Sequence, residues 1–170
     1  MRSRAVLNVA STILGVFLLQ LLFLALPRGR LDAQGADEAR VQHGRYLVKI
    51  TGCNDCHTAN YTERGGHVAD GQWLEGNRLG FRGPWGTTYA SNLRLTISQM
   101  SEAQWVQMAH SDVARPPMPS FTLHAMTSRD LEDIYRFVRR LGPAGTSAPA
   151  YLPPNQSPPA PYVSYPGIKL

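Results

Sequence analysis

Leu131, Ile134, Tyr135, Val138 and Leu141 recur at i, i+3, i+4, i+7 and i+10, the spacing that lays one apolar stripe along a helix. Thr127 with Asp130 makes a capping box ahead of this stripe, and Gly142-Pro143 stops it, so the pattern predicts a helix between Thr127 and Gly142. Arg129, Arg136, Arg139 and Arg140 fall on its other face. Solvation and complementarity to the helix dipole explain that face; docking of an acidic partner is the alternative. A second helix opens near Ser101, where Gln104 completes a capping box and Trp105, Met108 and Ala109 share a side. An earlier one runs from about Ala36 to Ile50. It turns Val41, Tyr46, Leu47 and Ile50 toward a core, and Gly44 leaves room for another helix to approach. The predicted class is all-α.

Directly after that first helix stand Cys53-Asn54-Asp55-Cys56-His57, the attachment sequence of a c-type haem. Two thiols three positions apart on one turn can each add to a vinyl group of one porphyrin, and His57 then lies beneath the iron as its proximal ligand. A dithiol redox pair or half of a zinc site are the other readings of a Cys-x-x-Cys. The first wants a βαβ setting that the pattern does not offer. The second wants further cysteines, and the chain has only two. With a single such motif, one covalent haem is expected, and no disulfide.

The iron then needs a sixth ligand or an open face. Met118 lies in Arg115-Pro116-Pro117-Met118-Pro119, an extended run in which proline fixes φ and removes backbone donors, so a thioether is held in one direction. Met126, Met100 and Met108 read as core, and His43, His67, His110 and His124 as surface or hydrogen-bonded groups. The stretch from Asn60 to Asn92 shows no periodicity and is punctuated by glycines, as suits a loop wrapping a flat cofactor edge. Within it Trp73, Trp85 and Tyr89 are either anchors in the core or hydrogen-bond donors to a haem propionate.

The ends of the chain set compartment and domain limits. Arg2 and Arg4 precede a run from Ala5 to Leu26 without charge, the pattern of an export signal or a membrane anchor. Leu31-Asp32-Ala33 offers a cleavage site that would open the mature chain at Gln34; uncleaved, residues 5–26 are just long enough to span a bilayer. Either outcome puts the remainder on the periplasmic side, where bacterial haem attachment takes place. Residues 1–33 are therefore a signal peptide or N-terminal anchor, 34–142 a haem domain, and 143–170 a Pro-rich tail. The formal charge of +5 overstates the domain, because residues 1–33 hold four Arg and one Asp and leave thirteen basic against eleven acidic side chains. No basic block interleaves with aromatics, so nucleic acid is not an expected partner. In the tail neither helix nor sheet is expected: it is a disordered linker or, given Tyr151, Tyr162, Val163 and Tyr165, extended polyproline laid on the domain or on a partner.

Taken in order, several segments resemble the bacterial class I c-type cytochromes, and more narrowly the small monohaem relatives of the cytochrome subunits of membrane dehydrogenases. They are Gly44-Arg45-Tyr46-Leu47-Val48, Cys53 to Thr58, Gly65-Gly66, Gly86 to Leu93, Pro117-Met118-Pro119-Ser120-Phe121, and Met126 running through Leu131 to Arg139. The resemblance covers residues 40 to about 142. It implies the class I cytochrome c fold, Met118 as axial ligand, a final helix packed across the first, and one-electron transfer. The partners it implies are redox proteins, a dehydrogenase as donor and an oxidase or cytochrome as acceptor. It departs at Arg94-Leu95-Thr96-Ile97-Ser98-Gln99-Met100, where such sequences continue through a Pro-Asp and Gly-rich turn. A haem protein with an open sixth site, peroxidase-like or gas-binding, is the runner-up function. The electron-accepting subunit of a dehydrogenase complex is a third.

Overall fold

A computed structural model describes residues 28–166. The uncharged run, and with it the signal-or-anchor reading, lies outside these residues. No helix among the described residues is long and apolar enough to cross a membrane. By internal contacts the chain divides into Met1–Asp37 and Glu38–Leu170.

The elements in chain order are helices α1 (Arg28–Ile50) and α2 (Cys53–His57), a 3-10 turn at Asp70–Gln72, strands β1 (Gly80–Gly83) and β2 (Gly86–Tyr89), helices α3 (Leu93–Ser98), α4 (Glu102–Ser111), α5 (Ser120–Ala125) and α6 (Ser128–Leu141), and strand β3 (Tyr162–Ser164). The fold is thus mixed, and the all-α expectation is corrected. β1 pairs antiparallel with β2 and parallel with β3, in the order β2-β1-β3. The hairpin was hidden because its strands are four residues each, with Gly at both ends of β1, too short for alternation to emerge. β3 corrects the expectation for the tail. Its Tyr-Val-Ser triplet suits a strand, but the surrounding prolines mask it.

α1 opens earlier than the expected Ala36, since Leu31, Ala33 and Gln34 are good helix formers. Val41 and Leu47 are buried as expected, whereas Tyr46 and Ile50 are exposed and Val48 is fully buried in their place. The face that matters is the one holding Gly44. A Cβ there would lie 1.9 Å from the Asp133 carbonyl oxygen, so α1 and α6 touch backbone to backbone at this point. The final helix therefore does pack against the first. Both predicted capping boxes form, Ser101 with Gln104 and Thr127 with Asp130. α6 buries Leu131, Ile134, Phe137 and Val138 and packs on α3 and α4. The Trp105 indole N–H reaches the Leu131 carbonyl at 2.8 Å. Leu74, Ile97 and Trp73 close the core, with Trp73 donating to the Val68 carbonyl at 2.9 Å. Trp73 is thus a core anchor.

Two buried charges fasten these helices. Arg94 is the residue at the departure noted above. Its guanidinium donates to the carbonyls of Gly142 (2.5 Å), Gly71 (2.7 Å) and Leu141 (2.6 Å) and meets Glu75 at 3.2 Å. It caps α6 and ties that end to the loop before β1. Asp133, also buried, receives Arg40 (2.5 Å) and His43 (2.9 Å) from α1, with Arg129 at 3.6 Å.

Burial alone would push the Asp133 carboxyl up, but the hydrogen bonds from His43 and Arg40 outweigh it and hold the group below the usual carboxylate range. The depressed value fixes the sign of a pH effect. An unfolded Asp titrates near ~3.9, so this contribution is fully present above that pH and is lost as pH falls through the lower folded value. Denaturant melts of the wild type should therefore weaken toward acid. Asp133→Asn should weaken the protein by about 3–5 kcal/mol at neutral pH and flatten the acid limb. An unchanged acid limb in the variant would contradict the assignment.

Candidate functional site

The haem motif is itself a short helix, α2, entered through the turn Thr51-Gly52. Thr51 caps the end of α1, its amide and hydroxyl both reaching the Leu47 carbonyl (3.0 and 2.8 Å). The motif's inner side is locked to the following loop. The Leu74 amide donates to the Thr58 hydroxyl (2.8 Å), which donates to the Asn54 side-chain oxygen (2.7 Å). The Gly76 amide donates to the His57 carbonyl (2.8 Å). Asn54 is fully buried while Asp55 faces out, so the two residues between the cysteines have opposite surroundings.

His57 is buried and its Nδ1 lies 2.7 Å from the Ser91 carbonyl oxygen. A carbonyl only accepts, so Nδ1 carries the proton and the Nε2 lone pair is left free to bind a metal. Burial holds the imidazole pKa below its ordinary value, though the Ser91 contact works the other way, and the neutral ring is the ligating form. Asn92 fixes the loop that presents Ser91. Its side chain accepts the Leu95 amide at the start of α3 (3.0 Å) and donates to the carbonyls of Ala144 (2.8 Å) and Thr146 (3.2 Å).

These groups open on a cavity of about 780 Å³, within the usual ~300–1,000 Å³ of cofactor sites. Cys53, Cys56, His57 and Met118 all line it, with Val48, Leu74, Leu93, Trp105 and Ile134 among its apolar walls. Cys53 and Cys56 are free thiols. Burial pushes both above the ordinary thiol value, with the Thr51 hydroxyl 3.3 Å from Cys53 pulling against it. A redox dithiol needs the opposite shift, since the thiolate is its reactive form. Among the described residues no three His, Cys, Asp or Glu side chains gather into a cation-binding group, as a zinc site on these cysteines would require. One buried neutral imidazole, two paired thiols and a thioether on an apolar cavity fit a haem c. Cys53 and Cys56 would hold it covalently and His57 and Met118 would ligate its iron.

Met118 arrives on the connection between α4 and α5. That stretch is a turn, not the extended run expected: the Met118 amide donates to the Arg115 carbonyl (3.3 Å) and α5 follows at once. The His124 ring meets the Asp112 carbonyl (3.0 Å), the His110 ring meets the Met126 carbonyl (3.1 Å), and the Ala114 amide donates to the Ser120 hydroxyl (2.8 Å). His43 pairs with Asp133, and His67 is exposed. None of these four histidines lines the cavity, but Met108 and Met126, expected in the core, do. Tyr89 also lines it. The Trp85 indole N–H is buried without a hydrogen-bond partner among the described residues. Sequence reasoning missed Arg94, Asn92 and the Ser91 carbonyl. The Asn92-x-x-Leu95 cap was the one signal that could have placed the last two.

Compared with protein-family models, with curated proteins and with solved structures, the chain finds no match.

Proposed function

We propose that this chain is a c-type cytochrome that carries single electrons and is not an enzyme. The haem would be attached through Cys53 and Cys56, with His57 and Met118 as the ligands of its iron. Residues 1–33 would deliver the domain to the periplasmic side, either cleaved away or kept as a membrane anchor. A dehydrogenase donor and an oxidase or cytochrome acceptor would be its partners. The observation that carries this reading is the convergence of Met118, far along the chain, with Cys53, Cys56 and His57 on one largely apolar cavity.

When bound, the haem supplies the one-electron couple. The chain's own groups do the rest. The Ser91 carbonyl holds the His57 tautomer and ring orientation. The apolar wall keeps water from the iron's surroundings, which raises the cost of the more charged oxidised state. The thioether of Met118 lines the same cavity and, as a soft neutral ligand, would favour the reduced state and close the iron to small molecules. Protein made with its haem attached should be reduced and reoxidised reversibly by one electron, and its reduced form should exclude carbon monoxide. Ready carbon monoxide binding by the wild type would favour an open-site haem protein instead.

A further inference from the structure

The segment from Pro149 to Tyr165 supplies no attachment or ligand residue, yet Pro149 and Tyr151 form part of the cavity wall. It is seated there by backbone. Leu152 exchanges two hydrogen bonds with Thr87 (2.7 and 3.0 Å), and further on the Tyr165 amide donates to the Arg82 carbonyl (2.7 Å). Gly86, at φ +101°, makes this possible: a Cβ there would come within 2.3 Å of the Leu152 carbonyl oxygen and 2.9 Å of the Tyr151 ring. The Tyr151 hydroxyl donates to the Trp85 carbonyl at 2.8 Å.

The same ring carries Arg115, whose guanidinium sits 4.1 Å from the ring centroid. Arg115 opens the turn whose fourth residue is Met118. From Asp112 to Pro119 no residue is buried, so this turn has no core contact of its own to hold it. Its ties to the rest of the domain are polar or aromatic. The Thr88 hydroxyl donates to the Pro116 carbonyl (2.7 Å), and Tyr151 lies against Arg115.

We propose that Tyr151 is a positioning residue: the tail seats it against Arg115 and thereby keeps the Met118 turn closed over the cavity, with the thioether at the iron. The proposal rests on the reading of Met118 as axial ligand. A thioether–iron bond is weak, so the fraction of time it is made depends on how often its turn opens. Both partners are exposed, and losing an exposed cation–π contact shifts an opening equilibrium by roughly 2- to 5-fold.

The test uses the full chain with haem attached. In Tyr151→Leu, amide hydrogen exchange at Ala114, Met118 and Ser120, the turn's hydrogen-bonded amides, should quicken by roughly 2- to 5-fold, and carbon monoxide should bind the reduced form faster by a similar factor. Tyr151→Phe keeps the ring and should stay near wild type in both. Arg115→Leu should match Tyr151→Leu, and the double variant should add little to either, because both remove one contact. Unchanged exchange at Met118 in Tyr151→Leu, or additive effects in the double variant, would overturn the role of Tyr151. A wild type that already binds carbon monoxide freely would instead overturn the ligand reading, whatever Tyr151→Leu does to exchange.

Discussion

With Cys53 and Cys56 both replaced by alanine, a denaturing gel stained for haem is expected to lose its whole signal. The reason is the difference between the kinds of bond the site offers. A thioether survives unfolding. Bonds from His57 and Met118 to a haem iron would not, because they would depend on the fold to hold α2 and the α4–α5 turn at one cavity. Each single variant should keep one attachment and a weaker signal, with the haem spectrum shifted by the unreacted vinyl group. Cys53→Ala should disturb the protein more than Cys56→Ala, because Cys53 packs against the core and touches the Thr51 hydroxyl, whereas Cys56 is a less enclosed neighbour. Full stain in the double variant would end the haem assignment.

Met118→Ala is expected to open the iron. The reduced variant should take up carbon monoxide, lose the far-red band of a methionine-bound ferric haem, and gain weak peroxidase activity. Met118→His should keep six ligands but lower the potential, since a second imidazole favours the oxidised iron more than a thioether does. Met126 is the control that makes this decisive, because it lines the same cavity. It is only partly buried, so Met126→Ala should cost about 2 kcal/mol, the low end for such a truncation, with the iron still closed. If Met126→Ala opens the iron and Met118→Ala does not, the ligand is Met126.

What the sequence made legible was whatever lies within a few residues. The two capping boxes, the end of α6 at Gly142, and the close approach at Gly44 were readable because each depends on local chemistry or on the absence of one side chain. The Cys-x-x-Cys-His pattern is equally local, and the structure forms it into the short helix α2 at the cavity. Long-range polar contacts were not. Nothing in Arg94-Leu95-Thr96 says that Arg94 will be buried under the last carbonyls of α6, since that follows from where α3 lands. Nor does a carbonyl such as that of Ser91 carry any mark of its role in the sequence. Tyr46 and Ile50 were misplaced for a subtler reason. The buried face of α1 follows Val41, Gly44 and Val48 at i, i+3 and i+7, with Gly44 against α6, and Tyr46 and Ile50 fall on the other side of the helix. The sheet was missed because its four-residue strands of Gly, Thr and aromatic residues are stabilised by pairing with one another and with the tail rather than by an apolar face.

The pairing of β1 with β3 has a consequence for how the chain is made. Gly80 and Tyr162 are partners in the sheet but are synthesised far apart in time. Until β3 emerges, the outer side of β1 has unpaired amides and carbonyls, while α1, α2 and the β1–β2 hairpin are already available to fold. A strand edge in that condition is a template for another chain, and contacts over such a separation form slowly. Product stopped short of Tyr162 should therefore have a persistent sticky edge and collect in aggregates even where its haem is attached.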